Sequence, residues 1–371
     1  MDNNNKWDLE KATVRSKETT EYNNNFNTHK SYSSHYEQEN AVIREFFQNS
    51  MDAKKANDDP LKISIRLSKI APNIAKSYFS NLSDRFKQYY MNDNKLQGLS
   101  KKDVDEIFES ECNVLTIEDS NTTGLSGSHI RTNTDISGKF LSFLYGDGFT
   151  EKRLDTNNHG SFGKGKSSFL EISYLSSILF LTTRDDQPKS ILSGMANLDS
   201  HVHQNVRYTG TGYFAKVIDN NGIEEIHPYS DINDPKMIEN FKRDFKLSRK
   251  LENGLSVVIP YLKNDVKTEN IIHSILEHFA FPIILNQIEV EIFDYDDQII
   301  PINKDSIKSL DNFNFQDKDQ TIDEFDIRFF EEIAKKIDHQ PDFNLIRFDL
   351  RRQSKLQDIL KKKITESDKE K

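Results

Sequence analysis

Long apolar runs and cysteines are the two features that the 371-residue sequence most clearly lacks. No stretch approaches the roughly 20 apolar residues that a membrane-spanning helix needs, and the N-terminal residues MDNNNKWDLEKATVRS include no apolar stretch of the signal-peptide kind. The single cysteine, Cys112, excludes an intrachain disulfide and a multi-cysteine metal site. These absences predict a cytoplasmic protein with no membrane partner.

An excess of positive charge is also missing. Lys and Arg number 50 against 60 Asp and Glu, which gives a formal net charge of -10. This balance argues against a protein that coats nucleic acid by electrostatics alone, although it is compatible with a local basic patch. Hydrophobic residues make up only 35% of the chain, yet 25 Phe and 13 Tyr can form a substantial core, so we expect a folded chain.

The first 37 residues are rich in Asn, Ser, Thr and Lys and show no apolar periodicity. Such a composition is typical of an extended arm or a disordered tail. In a dimer, an arm of this kind would wrap around the partner. We therefore expect residues 1–37 to lie outside the folded domain.

Six apolar or alternating segments predict strands. They suffice for one mixed sheet, and we expect an α/β sandwich with helices on one face of that sheet. Between the first two strands, residues 71–110 carry aromatic side chains at helical spacing and predict a helical insertion that serves as scaffold. The six segments are LKISIRL, NVLTIED, SILFLTTR, ILSGMANL, TGYFAKV and LSVVIPYL.

The segment ENIIHSILEHFAFPIILNQIEVEIFD, which follows Pro260, has the pattern of an amphipathic helix and then a strand. We expect residues 38–262 to form one domain, and residues 263–371 to form a connecting helix and part of a second α/β domain. The chain ends in KLQDILKKKITESDKEK, which predicts a charged helix or tail.

Three polar residues share one face of the helix predicted from Gln38 to Ala56. Glu45, Asn49 and Asp52 stand at positions i, i+4 and i+7, which an α-helix brings within about 60° of arc. The apolar side next to them would pack on the sheet, so the polar stripe would face a cleft. That apolar side comprises Val42, Ile43, Phe46, Phe47 and Met51.

These side chains suit the chemistry of phosphate transfer to water. An Asn oxygen is a hard, neutral ligand for Mg²⁺, whose coordination is usually completed by phosphates and water. Asn49 is therefore a candidate magnesium ligand, and Glu45, one turn earlier, is a candidate base that orients and deprotonates the attacking water. An ordinary amphipathic helix with solvated polar residues explains this segment equally well, so other segments have to decide.

Asp119 ends the predicted strand NVLTIED. A carboxylate in this place can accept a hydrogen bond from an adenine amino group, and an Asp that initiates a turn is the alternative.

Eight of the 14 glycines lie between Gly124 and Gly165, so we expect a mobile lid over residues 120–166. Within it, GSFGKGKSS places a glycine-rich loop before a helix, where backbone N–H groups and the helix dipole favour phosphate. The same residues fit the P-loop pattern GxxxxGKS, but a P-loop follows a buried strand, and the preceding EKRLDTNNH is polar.

Taken in order, EFFQNSMDA, IEDSNTTGL, GSFGKGKSS and NGLSVVIP resemble the four nucleotide-binding boxes of the GHKL ATPases. This superfamily includes gyrase-type topoisomerases, ninety-kilodalton heat-shock chaperones, histidine kinases, MutL mismatch-repair proteins and microrchidia proteins. The resemblance implies a Bergerat-type α/β sandwich that binds ATP and Mg²⁺, with Glu45 as general base and Asn49 as magnesium ligand. The other implied nucleotide-binding residues are Asp52 in the pocket, Asp119 and Ser256 at the adenine end, Gly124 in the loop after Asp119, and Gly160, Gly163, Lys164, Gly165, Lys166 and Ser167 at the phosphates.

Two positions depart from the family pattern. Asn121 stands where a glycine usually follows the adenine-binding aspartate, so we expect the loop at the base end to differ in shape. Ser256 stands where many relatives carry threonine, so the hydroxyl is kept and a methyl contact is lost.

The resemblance implies ATP hydrolysis, because the histidine kinases of this superfamily are not built around a water-activating glutamate. We expect an ATP-gated switch that forms a homodimer when its lid closes, in a DNA-associated process such as genome maintenance or defence against foreign DNA. The partner would then be DNA or a protein of the same system. A chaperone-like machine that remodels proteins and a nucleotide-dependent interaction module with negligible turnover are the alternatives.

Overall fold

The structure is a computed structural model that describes residues 6–13, 35–93, 101–131, 138–145, 166–198, 200–220, 222–250, 252–263 and 266–310. Its helices are α1 His35–Asp52, α2 Pro72–Asp93, α3 Lys101–Glu109, α4 Lys139–Tyr145, α5 Lys166–Glu171, α6 Pro235–Asp244 and α7 Thr268–Ile284, followed by a 3₁₀ helix at Ile307–Leu310. Among the helices described, none has both the length and the apolar character needed to span a membrane.

The strands, in chain order, are β1 Trp7–Lys11, β2 Leu61–Ile70, β3 Cys112–Ser120, β4 Ser177–Thr183, β5 Ser190–Asn197, β6 His201–His203, β7 Val206–Phe214, β8 Lys216–Asn220, β9 Ile223–His227, β10 Tyr229–Ser230, β11 Gly254–Ile259, β12 Ile288–Phe293 and β13 Ile299–Ile302. Eleven of them form one mixed sheet, so the predicted α/β class is confirmed. Its order is β1-β7-β5-β4-β11-β3-β2-β12-β13, with β10 beside β5 and β6 beside β7. The β12–β2 pair is parallel, its neighbours β2–β3 and β12–β13 are antiparallel, and β8 and β9 form a separate hairpin.

Helices cover both faces of this sheet, whereas we expected them on one face. In β4, Ile178 and Phe180 belong to a core with α1, α4, α5 and α7, while Leu179 and Leu181 belong to a second core with α2, α3 and α6. A strand with apolar side chains at successive positions is buried on both sides. The run SILFLTT has this pattern, so it needs helices on each face.

The N-terminal residues contribute to the sheet, which corrects part of the predicted arm. β1 pairs with β7 at the edge of the sheet, and the Trp7 side chain is buried against Phe79 and Phe214. Its indole N–H donates a 2.9 Å hydrogen bond to the backbone oxygen of Tyr78. Only two alternating apolar residues, Trp7 and Leu9, mark this strand in the sequence, and the residues around them are polar.

Residues 266–310 join the same sheet and core as the preceding residues, where we expected a second domain to begin. The Phe279 ring on α7 lies 4.7 Å from the Phe47 ring on α1, and β12 then pairs in parallel with β2. A parallel pair needs a crossover connection, so β12 lies beside a strand that is distant in sequence. Residues 311–371 lie outside the described part of the chain.

Part of the predicted lid is also packed structure. Helix α4 lies inside the range 120–166 and buries four side chains in the first core: Phe140, Leu141, Phe143 and Leu144. The many glycines of this range led to the prediction of a lid, although the apolar sequence KFLSFLY lies within it. The lid prediction for residues 146–165 falls outside the described residues.

Candidate functional site

The C-terminal end of α1 meets the C-terminal end of β3. Burial of Phe47 alone contributes about 1.5–3 kcal/mol to the packing of α1 on the sheet. Beyond the helix, the Thr123 N–H donates to the Ala53 oxygen at 2.9 Å and the Lys55 N–H donates to the Asn121 oxygen at 3.0 Å. The end of α1 and the end of β3 are therefore held next to each other.

Glu45 and Asn49 contact each other on α1. The Asn49 Nδ2 group donates a 3.0 Å hydrogen bond to Glu45 Oε1. Both side chains are half-buried, and burial raises the pKa of Glu45 above its ordinary value, while the Asn49 hydrogen bond and Arg44 oppose the rise. Asp52 is exposed at the last turn, and its negative charge adds to the rise in the Glu45 pKa. A carboxyl group with a raised pKa is a better proton acceptor near neutral pH.

Asp119 is buried and receives three hydrogen bonds. Ser50 Oγ lies 2.7 Å from Oδ2, and Oδ1 accepts from Thr122 Oγ1 at 2.7 Å and from the Leu255 N–H at 2.8 Å. Burial raises the pKa of Asp119 above its ordinary value, and the nearby Arg249 together with these donors opposes part of this rise. The carboxyl is thus held in one orientation by α1, by its own loop and by β11.

Two glycines allow close approaches of the backbone in this region, one to Asp119 and one to β4. A Cβ on Gly254 would lie 2.2 Å from the Asp119 oxygen, and a Cβ on Gly124 would lie 2.4 Å from the Thr183 oxygen. Gly124 also has a φ of +63°, which side chains disfavour. Next to it, the Leu125 N–H donates a 2.8 Å hydrogen bond to Thr182 Oγ1. Gly124 therefore lies against β4, the strand that pairs with β11.

Asn121 adopts a left-handed backbone conformation, with a φ of 65°. Asn tolerates this conformation better than most residues do. Its side-chain Nδ2 donates to the Asp59 oxygen at 2.9 Å and to Asn57 Oδ1 at 2.9 Å. The residue that replaces the expected glycine thus ties the loop after β3 to the loop after α1.

Ser256 does not join the group around Asp119. Successive side chains of a strand point to opposite faces, and Ser256 lies on the face opposite the Val257 side chain, which faces α1. Its hydroxyl donates to Glu118 Oε2 at 2.8 Å and accepts from Arg249 Nε at 2.9 Å. At the expected adenine end, β11 instead presents the Leu255 backbone N–H.

The predicted phosphate loop is described only at its end. Gly160, Gly163, Lys164 and Gly165 lie outside the described residues. Lys166 and Ser167 begin helix α5, which packs against α1 and buries Phe169 in the first core. The end of the loop therefore lies on the same face of the sheet as Glu45 and Asn49.

Three residues of this region were not selected from the sequence: Ser50, Thr122 and Arg249. Ser50 follows Asn49 directly, and Thr122 lies three residues after Asp119, so an expectation that a buried carboxylate needs donors would have pointed to both. Arg249 is 130 residues from Asp119 in the chain, and no local pattern marks it.

This part of α1 offers a carboxamide oxygen and a carboxyl group with a raised pKa. Asn49 uses its Nδ2 on Glu45, so its carboxamide oxygen is the atom suited to a hard cation. In the described part of the chain, no three His, Cys, Asp or Glu residues converge as metal ligands. A magnesium ion at Asn49 would therefore take most of its ligands from phosphates and water.

No protein-family model matches the chain. No curated protein matches it either.

Proposed function

We propose that the chain is a Mg²⁺-dependent ATP hydrolase of the GHKL type, with Glu45, Asn49 and Asp119 in one nucleotide site. The observation that carries the proposal is the 2.7 Å contact between Ser50 Oγ and Asp119 Oδ2. It joins the helix that bears Glu45 and Asn49 to the strand end that bears Asp119, although Ser50 and Asp119 are 69 residues apart. A solvated amphipathic helix would not need this connection.

At the base end, Asp119 has the hydrogen-bonding capacity that adenine requires. An ionised carboxylate offers about four acceptor positions. The hydroxyls of Ser50 and Thr122 and the Leu255 N–H occupy three of them. One position is left for the exocyclic amino group of adenine.

At the phosphate end, Glu45 would remove a proton from the attacking water. Its half-buried position and raised pKa favour proton uptake, and the Asn49 hydrogen bond orients the carboxyl group. A bound Mg²⁺ ion would neutralise charge on the phosphates and draw the Asn49 oxygen into its coordination. The glycines and lysines of GSFGKGKSS would surround the phosphates.

Closure of the lid on ATP would favour a homodimer, and hydrolysis would release it. Such a cycle requires ATP to bind the dimeric state more tightly than the open state. A DNA-associated role rests on analogy with the gyrase, MutL and microrchidia branches alone. Binding of duplex DNA over a salt series, with and without ATP, tests that role, and a protein client is the expectation if DNA does not bind.

The central experiment measures ATP affinity and steady-state hydrolysis for the wild type, Glu45→Ala and Glu269→Ala. Glu269 is an exposed carboxylate on α7 and serves as the matched control. Glu45→Ala should bind ATP and hydrolyse it at least about 100-fold more slowly, the scale of general-base catalysis. A wild type that binds no ATP would refute the proposal, and one that binds without turnover would favour the interaction module.

The adenine contact is tested separately with Asp119→Asn. The amide replaces one carboxylate oxygen with an NH2 donor, so ATP affinity should fall by about tenfold or more. Asp58→Asn, at an exposed position in the loop after α1, is the control. Undiminished affinity in Asp119→Asn would remove Asp119 from the nucleotide pocket.

A further inference from the structure

A buried guanidinium lies directly behind Asp119. Arg249 is only 6% exposed. Its Nη2 group donates to the backbone oxygens of Asp119 and Leu255, the latter at 2.9 Å. Nη1 donates to the Glu252 oxygen at 2.8 Å, and Nε donates to Ser256 Oγ at 2.9 Å. All of these acceptors are neutral, so the hydrogen bonds fix the position of the guanidinium without cancelling its charge.

The charge of Arg249 acts on the Asp119 carboxyl across Gly254. A Cβ at Gly254 would lie 2.5 Å from Asp119 Oδ1 and 2.6 Å from Arg249 Nη1, so the two groups approach each other through the space that glycine leaves open. In a buried environment, the interaction between two charges is much less screened than in water. Burial lowers the pKa of Arg249, and among the nearby carboxylates Asp119 opposes this most strongly.

Among the described residues, the other groups that contact the Asp119 carboxyl do not supply a positive charge. α1 presents the neutral Ser50, the loop after β3 presents Thr122, and β11 presents a backbone N–H. Beyond Arg249 lie the carboxylates of Glu118 and Glu252 and the ammonium group of Lys242. Arg249 is therefore the cation that acts directly on the Asp119 carboxyl, and it opposes the effect of burial.

We propose that Arg249 is the positioning residue that keeps Asp119 ionised, so that the site selects purine nucleotides with an amino group at C6 over those with a carbonyl. This inference rests on the proposed function. An ionised carboxylate only accepts hydrogen bonds, so it attracts an amino group and repels a carbonyl oxygen. A protonated carboxyl would donate to the carbonyl, and the preference would be lost.

The test measures the affinities of the wild type and Arg249→Met for ATP and inosine triphosphate at a series of pH values that begins near the ordinary carboxyl pKa and extends above neutral pH. In the wild type, ATP affinity should be maximal at high pH, where Asp119 is ionised, and should fall as the pH drops through the pKa of Asp119. Without Arg249 that pKa rises, so the midpoint should move up by about one pH unit or more, and the preference for ATP at neutral pH should shrink about tenfold.

Lys246→Met is the matched control, because it removes a nearby cation that pairs with Asp297 at the surface. It should leave the midpoint and the preference unchanged. If Arg249→Met does not fold, Arg249→Lys takes its place, because an ammonium group cannot make the same fork of hydrogen bonds. The ATP preference of Arg249→Lys should fall about threefold or more, with a smaller upward shift of the midpoint.

Two failures can be told apart. A wild type that binds neither nucleotide would refute the proposed function. A wild type that binds ATP, together with a folded Arg249 variant that keeps both its pH midpoint and its ATP preference, would overturn the role of Arg249 alone. A wild type that binds both nucleotides equally well would also overturn it.

Discussion

The Asn49 Nδ2 group donates a 3.0 Å hydrogen bond to Glu45 Oε1, one turn earlier on α1. The bond places the Nδ2 end of the Asn49 carboxamide against Glu45, so the carboxamide oxygen is the end that is not bonded to Glu45. It also lowers the pKa of Glu45, whose burial acts in the opposite direction. The two side chains that the sequence suggested for separate roles are thus coupled.

Asn49→Ala should abolish the magnesium dependence of ATP binding. Because the carboxamide oxygen would be lost, affinity in Mg²⁺ should fall by about tenfold or more, towards the value in EDTA. Gln48→Ala, a neighbouring carboxamide on the same helix, is the control. Calorimetric titrations of ATP with and without Mg²⁺ measure the effect, and an unchanged difference between the two conditions would argue against Asn49 as a ligand.

Gly254→Ala should destabilise the protein strongly. The new methyl group would lie within 2.6 Å of two Asp119 atoms and of Arg249 Nη1, so the buried network would have to move, at a cost of about 3 kcal/mol or more. Gly222→Ala is the matched control, since nothing lies within 4 Å of its added Cβ. Its positive φ alone should cost about 1–2 kcal/mol in the free energy of unfolding. Equal losses in chemical denaturation would contradict the crowding at Gly254.

Trp7→Ala tests whether β1 belongs to the fold of its own chain. Loss of this buried ring should lower the free energy of unfolding by about 3–5 kcal/mol. Lys11→Ala, at an exposed position of the same strand, should have little effect. The loss for Trp7→Ala should not depend on protein concentration. A concentration-dependent loss would instead indicate an arm that packs on a second copy.

His129 should make the protein less stable in mild acid. Burial, with Arg184 and His227 nearby, lowers its pKa from 6.5 to about 4. Between these two values the unfolded chain binds more protons than the folded one, so this contribution to stability falls as pH decreases from 6.5 to about 4.

His129→Asn should remove that contribution, so the pH dependence of the variant should be flatter in this interval. Urea midpoints of the variant and the wild type, measured at a series of pH values, give the difference in stability between the two proteins. The other titrating groups contribute equally to both proteins and cancel in this difference. Parallel curves for the two proteins would show that His129 titrates normally in the folded state.

Much of the strand content could be read from the sequence, because alternating and continuous apolar runs report burial locally. LKISIRL lies in β2, and the first five residues of LSVVIPYL lie in β11. Boundaries were less predictable: α1 begins at His35, inside the expected arm. The short element β1 was missed because only two apolar residues mark it, and α4 was missed because it lies within a glycine-rich segment.

The candidate site also has features that follow from local sequence and features that depend on distant residues. Helical periodicity places Glu45, Asn49 and Asp52 on one face of α1, and this needs no information from outside the helix. The face of the sheet on which Ser256 lies could not be predicted in this way, because only the strand register shows which of two adjacent side chains faces α1. Register depends on pairing with β3 and β4, which lie far away in the chain.

By itself, the sequence determined the α/β class and the polar stripe of α1, because both follow from periodicities within short segments. Only the tertiary structure decided that helices cover both faces of the sheet, that β12 joins β2, and that Ser50 and Arg249 hold Asp119. Ser50 lies 69 positions from Asp119 in the chain, and Arg249 lies 130 positions from it. Such contacts depend on the order of the strands in the sheet, which no local pattern contains.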